Sequence, residues 1–217
     1  NLKVAKFAHK HNIKVSYYIS PQVWAWKKRR VYTIKEVVDK MLVILPFEKK
    51  FYDDYYVDAH FVGHPLLDEI SKVKFINRIN FARQNKLDPK KEIIALLPGS
   101  RKQEVSRMLK VMLGVMDNFP DYQFVIGCAP SLTDDFYRSL IGNANVHLVF
   151  NKTYQLLQVA SAALVTSGTA TLETALFYVP EVVCYKGDAG TGVVHSGAGK
   201  DAVALEAESG RVVWKDA

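Results

Sequence analysis

The feature of this sequence that most constrains its fold is a regular alternation of short apolar runs with amphipathic helical stretches. A short apolar run bounded by turn residues is typical of a buried strand, and apolar residues at i, i+3, i+4 and i+7 are typical of a helix packed on one face. Strands separated by helices form parallel βαβ units with helices on both faces of the sheet. The sequence therefore predicts an α/β fold, in which ligands bind beyond the carboxyl ends of the strands.

The alternation occurs in two blocks, which are separated by a polar and helical stretch from about 66 to 91. The first block predicts helices and strands in turn over 2–11, 13–20, 27–39, 41–46, 47–55 and 59–63. The second block predicts strands 92–97, 123–128, 146–150, 162–166 and 180–185, with helices 101–117, 132–141, 153–161 and 170–178 between them. We therefore expect two domains, 1–66 and 67–186. The glycine- and alanine-rich tail, 187–217, predicts no regular elements.

The composition is that of a globular protein rather than a disordered or fibrous one, because 49% of the 217 residues are hydrophobic and 24% are charged. No apolar run approaches the roughly 18 residues that a membrane span requires. Cys128 and Cys184 lie in apolar, strand-like runs, which favours buried thiols over a disulfide. The net charge of +7 indicates an anionic partner, which can be a nucleotide, a phosphorylated substrate, a membrane surface or a nucleic acid.

The first candidate binding loop follows the predicted strand 92–97, in the sequence LLPGSRKQEV. Ser100 and Gln103 match a capping box, which predicts a helix that begins just after Ser100. Gly99 allows the backbone to approach a ligand closely, and the free N–H groups of the first helical turn bind anions. Arg101 opposes the helix dipole unless a phosphate lies beside it. The loop therefore predicts a phosphate site, with a solvated surface arginine as the alternative.

The second candidate loop follows strand 162–166 and reads TSGTATLETAL. Capping explains Glu173 poorly, because neither possible start of the helix completes a capping box with it. Glu173 lies one turn beyond Thr169, and a turn advances ~5.4 Å, roughly the spacing between a diphosphate and its ribose. We predict that Glu173 accepts hydrogen bonds from ribose hydroxyls; the alternative is a glutamate that only stabilises the positive helix end. Tyr154 is a further candidate neighbour of the nucleotide.

Together the two loops predict a nucleoside diphosphate site within one Rossmann-like half. Neither loop is a Walker A loop or a GxGxxG fingerprint, which disfavours a P-loop NTPase, a kinase or an NAD enzyme. The acidic pairs Asp53–Asp54 and Asp134–Asp135 have no second cluster of ligands, and the histidines lack metal-ligand spacing. The sequence therefore predicts no metal site.

Five motifs resemble the bacterial lipid-A-disaccharide synthases, in the order and spacing of that family. These motifs are YYISPQVWAWKKRRVYTI, LPFEKKFY, FVGHPLLDEI, LLPGSRKQEV and LVTSGTATLETALFYVPEVVCYK. The resemblance extends to about residue 186 and implies an inverting glycosyltransferase with the two-Rossmann-domain GT-B fold. It makes 1–66 the carboxyl-terminal part of the acceptor-side domain and 67–186 the UDP-sugar-binding domain.

The resemblance implies transfer of a 2,3-diacylglucosaminyl unit from its UDP donor to the 6-hydroxyl of 2,3-diacylglucosamine 1-phosphate. It implies a cytoplasmic enzyme that contacts the inner membrane of a Gram-negative bacterium peripherally, without a metal, a cofactor or a nucleic-acid partner. The UDP ligands are then Gly99, Ser100, Arg101, Ser167, Gly168, Thr169, Ala170, Thr171 and Glu173. Among them, Arg101 is expected to stabilise the leaving diphosphate.

The same resemblance places SPQVWAW and the following basic run at the cleft between the domains. Trp24 or Trp26 is expected to pack on acyl or sugar surface, and Arg30 to meet the acceptor phosphate. The alternatives are domain packing for the tryptophans and a solvated helix start for the basic run. His64 is a candidate general base, because histidine titrates near neutral pH; the alternative is a buried residue that shapes the interdomain turn.

Two departures from the family pattern enter the prediction. The family's acceptor-side loop and its essential acidic residue precede Asn1, and 187–217 does not resemble the family. We therefore expect a chain that is truncated at both ends, lacks its general base and does not catalyse the reaction alone. The alternative functions are another UDP-sugar enzyme of this architecture, such as an epimerase or a peptidoglycan glycosyltransferase, and a non-catalytic basic module that binds nucleic acid.

Overall fold

The apolar runs predicted as strands form two separate sheets in the computed structural model, which describes residues 1–166, 168–186, 192–197, 203–206 and 212–215. The chain divides into two compact units, Asn1–Lys72 and Val73–Ala217. The division lies inside the polar stretch that the sequence predicts as a connection. Among the described residues, no helix is long and apolar enough to cross a membrane.

The first unit contains a parallel sheet of three strands in the order β1-β2-β3. Its elements are α1 (Leu2–Lys10), β1 (Ser16–Tyr18), α2 (Arg30–Val37), β2 (Lys40–Val43), α3 (Pro46–Asp53), β3 (Ala59–Phe61) and α4 (Pro65–Ser71). The core joins one face of α2 to the sheet and to α3, through Val31, Ile34, Met41, Val43 and Tyr52. α2 begins at Arg30, the last residue of the basic run, and not at 27 as predicted, since Lys27 has a φ of 58°, which is incompatible with a right-handed helix.

The second unit contains a sheet of eight strands in the order β11-β10-β9-β8-β7-β4-β5-β6. Its elements are α5 (Arg78–Gln84), β4 (Glu92–Leu97), α6 (Lys102–Leu113), a 3-10 helix (Met116–Asn118), β5 (Tyr122–Cys128), α7 (Asp134–Ile141), β6 (Val146–Phe150), α8 (Thr153–Val159), β7 (Ala162–Thr166), α9 (Thr169–Leu176), β8 (Glu181–Lys186), β9 (Gly192–Gly197), β10 (Val203–Glu206) and β11 (Val212–Lys215). Strands β4 to β8 are parallel, as predicted.

Helices cover both faces of the parallel part of this sheet. Along β4, Ile93, Ala95 and Leu97 pack on one face with residues of α5 and α8. Ile94 and Leu96 point to the other face and pack with residues of α6 and α7. Successive side chains of a strand point to opposite faces, so a continuous apolar run such as β4 is buried on both. This arrangement confirms the α/β, Rossmann-like prediction.

The structure differs from the prediction beyond residue 186, where it contains three further strands. β9 pairs antiparallel with β8 along the whole of Glu181–Lys186. β10 and β11 then extend the sheet in the same antiparallel manner. An uncovered edge strand leaves a row of backbone N–H and C=O groups unpaired, and β9 supplies partners for those of β8. Backbone pairing with β8 and with one another therefore forms β9, β10 and β11, in a part of the sequence that shows little periodicity.

Glu181, the first residue of β8, is a carboxyl group in an apolar setting. Only 9% of it is exposed, and within the described part of the chain its Oε2 atom has no hydrogen-bond partner. Burial raises the pKa of Glu181 to about 7, although the Thr174 hydroxyl acts in the opposite direction. The folded protein therefore holds a proton on Glu181 that the unfolded chain releases at lower pH.

We expect Glu181→Gln to stabilise the protein at pH 8, by about 1–3 kcal/mol, and much less at pH 5. The native carboxyl opposes folding fully above its folded pKa, and this penalty fades as the pH falls toward the unfolded pKa. Urea unfolding at both pH values measures the difference. Glu92→Gln is the matched control, because Glu92 also begins a parallel strand of the same sheet, β4, but is exposed. An equal gain at pH 5 and pH 8 would contradict the prediction.

Candidate functional site

Two loops lie side by side at the carboxyl edge of the second sheet. One follows β4 and leads into α6, and the other follows β7 and leads into α9. β4 and β7 are neighbouring parallel strands, with Leu97 opposite Val165 at their ends. The Thr166 hydroxyl donates to the carbonyl oxygen of Leu97 at 3.3 Å, which ties the two strand ends together. Sheet order thus brings together two segments that are far apart in sequence.

A cavity of about 490 Å³ opens between these loops. Seven of the nine residues predicted to bind UDP line it, namely Gly99, Ser100, Arg101, Gly168, Thr169, Ala170 and Glu173. Of the other two, Ser167 lies outside the described residues. Thr171 is not among the lining residues, and its hydroxyl donates to the carbonyl oxygen of Gly168 at 2.6 Å. Arg101 and Glu173 therefore share one cavity.

The loop after β4 differs from the prediction in how the helix starts. α6 begins at Lys102, and its N-cap is Arg101 rather than Ser100. The predicted capping box of Ser100 and Gln103 is therefore wrong. The residue three positions after the N-cap is Glu104, whose Oε2 atom accepts from the backbone N–H of Ser100 at 3.2 Å and of Arg101 at 3.5 Å. A capping carboxylate thus occupies the Ser100 and Arg101 amides just before α6, beside the first-turn amides that were predicted to bind a phosphate.

Gly99 is required by this arrangement. Its φ of +107° is a conformation that side chains rarely allow, and a Cβ atom at this position would overlap the carboxylate of Glu104. The Arg101 side chain is exposed and has no ion pair with any of the described residues. Its guanidinium is therefore available to an anion in the cavity.

The loop after β7 leads into α9 through a glycine. Gly168 is the N-cap of α9, with a φ of 139° that favours glycine, and it has no side chain with which to cap the first turn. Glu173 lies one turn further along and is half-buried. The Tyr154 hydroxyl donates to its Oε1 atom at 2.7 Å, and the Tyr154 ring packs against Phe177. A tyrosine from α8 therefore fixes the orientation of the carboxylate.

Several residues that line the cavity were not predicted from the sequence. They come from the end of β5, from the starts of α6 and α8, and from the end of β7: Gly127, Cys128, Ala129, Pro130, Glu104, Thr153 and Thr166. The Tyr137 hydroxyl accepts from the backbone N–H of Ala129 at 2.9 Å and so holds the segment after β5 in place. The small residues at the end of β5, Gly127 within the strand and Ala129 just after it, were the only sequence signal for this side of the cavity.

Cys128 lines the cavity but is unsuited to nucleophilic chemistry. Burial raises the pKa of its thiol to about 12, and that of Cys184 to about 12 as well. The thiolate is the reactive form of cysteine, so both residues remain protonated at neutral pH. No group of three or more His, Cys, Asp or Glu side chains in the described ranges is placed to hold a metal ion.

The predicted acceptor residues lie in the first unit. Trp24 donates its indole N–H to Oε1 of Glu48 at 3.2 Å and contacts the Phe47 ring edge-on. Trp26 is 63% exposed, with the Lys27 ammonium group 4.6 Å from the centre of its ring. Arg30 is the exposed first residue of α2.

His64 has a structural role at the start of α4. It is the N-cap residue, and its Nδ1 atom accepts from the backbone N–H of Leu66 at 3.2 Å. Pro65 follows as the first helical residue, where its missing N–H costs nothing. This geometry agrees with the reading of His64 as a residue that shapes the turn.

Comparison with known proteins supplies the observation that decides the family. A sequence model of LpxB, the lipid-A-disaccharide synthetase family, matches residues 1–191. The chain belongs to the lipid-A-disaccharide synthetase family. It is 46% identical over 193 residues to the lipid-A-disaccharide synthase of Syntrophus aciditrophicus, and 40% identical over 192 residues to that of Geobacter sulfurreducens. Each match covers 86% of this chain and 50% of the relative, so the chain spans about half the length of these relatives.

Solved structures of UDP-sugar enzymes share the fold of this lipid-A-disaccharide synthetase family member. The UDP-GlcNAc 2-epimerase of Neisseria meningitidis, bound to UDP-GlcNAc, is similar with a TM-score of 0.58 and 14% identity, over 84% of this chain and 56% of the epimerase. The complex of S. aureus MnaA with UDP gives a TM-score of 0.57 and 11% identity, over 84% of this chain and 53% of that one. At these identities the likeness concerns the fold, which is that of GT-B-like enzymes.

Proposed function

We propose that the whole protein is a glycosyltransferase that forms the lipid A disaccharide, and that this chain supplies the site for the UDP end of the donor. The reaction transfers a 2,3-diacylglucosaminyl unit from UDP to the 6-hydroxyl of 2,3-diacylglucosamine 1-phosphate. Membership of the lipid-A-disaccharide synthetase family supports the reaction. The observation that supports the donor site is the cavity lined by both Arg101 and Glu173.

The donor diphosphate is held in this proposal between the two loops. Arg101 and the first turn of α9, which begins after Gly168, line the cavity from opposite loops. A guanidinium and a helix N-terminus both stabilise negative charge, and the charge on UDP grows as the glycosidic bond breaks. These groups therefore lower the barrier to UDP departure without a metal ion.

The ribose lies one helical turn further along α9, against Glu173. Tyr154 already binds Oε1, so the second carboxylate oxygen is the one proposed to accept from a ribose hydroxyl. Carboxylate acceptors give strong, charge-assisted hydrogen bonds, and a fixed orientation reduces the entropy that binding costs. The cavity volume of about 490 Å³ lies in the range of small-molecule sites.

For the acceptor side, the proposal assigns Trp24 and Trp26 to acyl or sugar surface and Arg30 to the acceptor phosphate. Trp26 and Arg30 are exposed, as such contacts require. We also propose peripheral contact of the whole protein with the cytoplasmic face of the inner membrane. The net charge of +7 favours an anionic lipid surface.

Calorimetric titration of the 217-residue chain with UDP, ADP and single-stranded RNA tests the donor site. We expect UDP to bind in preference to ADP, and RNA to bind weakly. A basic nucleic-acid module would instead bind RNA with an affinity that falls steeply with salt and would show no preference for UDP. That outcome, or no UDP binding, would overturn the proposal.

The reaction assignment is tested with the intact enzyme of a relative such as that of Syntrophus aciditrophicus. We expect UDP-2,3-diacylglucosamine to bind more tightly than UDP-GlcNAc, because the acyl chains add apolar surface to be buried. Equal binding of the two donors would favour an epimerase or another UDP-sugar enzyme.

A further inference from the structure

The Glu104 carboxylate lies inside the proposed donor site, although the proposed ligand is an anion. Glu104 lines the same cavity as Arg101 and Glu173. Its Oε2 atom accepts from the backbone N–H groups of Ser100 and Arg101. These two amides lie immediately before α6, next to the first-turn N–H groups that bind anions at a helix N-terminus, so a phosphate oxygen bound there would compete for them. A carboxylate of the protein therefore occupies backbone N–H groups that the proposed donor site would offer to a phosphate.

A carboxylate and a diphosphate cannot both occupy this position. They carry like charges, and the repulsion between close like charges is large where water is partly excluded. Each amide N–H has a single proton to donate, so a phosphate oxygen must replace Oε2. The present bonds, at 3.2 and 3.5 Å, are longer than the roughly 2.9–3.0 Å that is most common for N–H···O bonds. Their exchange for phosphate oxygens is therefore favourable once Arg101 also contacts the diphosphate.

We propose that Glu104 is an affinity-determining residue, which competes with the donor diphosphate for the backbone N–H groups of Ser100 and Arg101 and withdraws from them when the diphosphate binds. The inference rests on the proposed function. This competition lowers the affinity for UDP, because the bonds from the Ser100 and Arg101 N–H groups to Glu104 must break before the diphosphate can bind there. It also speeds the release of UDP, since the carboxylate returns to the amides as the nucleotide leaves.

The test is calorimetric titration of UDP into the 217-residue chain carrying E104A or E104Q. We expect E104A to bind UDP about tenfold more tightly, because the amides are then open to phosphate, and E104Q to gain less, because its amide oxygen still competes. Stopped-flow measurement should show slower dissociation of UDP from E104A. Thermal unfolding checks that each variant is folded; E104Q keeps an acceptor for the helix start if E104A is destabilised.

D121N is the matched control for net charge. Asp121 is exposed and precedes β5, at the end of the strand opposite to the cavity. D121N removes one negative charge, as the Glu104 variants do, and we expect it to change UDP affinity less than about twofold. Unchanged or weaker UDP binding by both folded Glu104 variants would overturn the inference and leave the donor site intact. If the unchanged chain does not bind UDP, the proposed function fails and the inference fails with it.

Discussion

Arg101→Ala is expected to weaken UDP binding by this chain about 10- to 100-fold, without unfolding it. The guanidinium lines the cavity, is exposed, and forms no ion pair within the described ranges. Its removal therefore takes a charge-assisted contact from the ligand but leaves no buried partner unsatisfied. Titration calorimetry with UDP gives the affinity, and thermal unfolding gives the stability.

Lys102→Ala is the matched control for Arg101→Ala. Lys102 is the next residue and also a cation, but it does not line the cavity, and its ammonium group lies 5.4 Å from the centre of the Phe136 ring. We expect its loss to change UDP affinity less than about threefold, as for a screened surface charge. Equal losses in the two variants would show that Arg101 acts only through general electrostatic attraction.

Glu173→Ala examines the ribose end of the same ligand. It removes the proposed ribose acceptor and leaves the Tyr154 hydroxyl without its partner. UDP binding should weaken, whereas inorganic pyrophosphate, which has no ribose, should bind as before or more tightly. If pyrophosphate binding fell as much as UDP binding, Glu173 would be acting on the structure of the loop rather than on the nucleoside.

Glu48→Ala is expected to lower the free energy of unfolding of the first unit by about 3–5 kcal/mol. Glu48 is only 2% exposed, and its carboxylate accepts from the Ser20 hydroxyl at 2.6 Å, the Trp24 indole at 3.2 Å and the Leu45 backbone at 3.1 Å. Truncation deletes the shared acceptor of three donors at once. Urea unfolding, followed by tryptophan fluorescence, measures the loss.

Two further variants show whether this loss comes from the hydrogen bonds. Glu48→Gln keeps one acceptor oxygen of similar shape and should lose less than Glu48→Ala. Glu36→Ala removes an exposed glutamate from α2 and should change stability by less than about 0.5 kcal/mol. A loss in Glu48→Ala no larger than in Glu36→Ala would contradict the prediction. The expected result would make Glu48 the residue that anchors the SPQVW segment to α3.

The parallel sheet of the second unit could be predicted from the sequence because its strands are buried on both faces. β4, β6 and β7 begin and end as predicted at Glu92–Leu97, Val146–Phe150 and Ala162–Thr166. A strand buried on both faces is apolar throughout and is bounded by turn residues, so its ends are visible locally. The convergence of the two loops followed from the same reasoning, since parallel strands present their carboxyl ends at one edge.

The capping of α6 could not be predicted with the same certainty, because it depends on small differences in local energy. Gln103 and Glu104 are adjacent and both suit the third position of a helix, and moving the helix start by one residue exchanges their roles. Caps contribute only about 1 kcal/mol, so packing of the helix on the sheet selects between them.

Contacts between residues that are far apart in sequence could not be predicted and are visible only in the tertiary structure. Tyr154 reaches Glu173 from a separate helix, and Glu48 gathers donors from Ser20 and Trp24 across 28 and 24 positions of the chain. No local period encodes such pairs, because they form only when packing brings their elements together. Local patterning therefore determined the parallel strands, their helices and the two glycine-containing loops, whereas backbone pairing added β9, β10 and β11. Long-range packing decided that Glu173 is held by a tyrosine and that Glu104 accepts from the Ser100 and Arg101 amides.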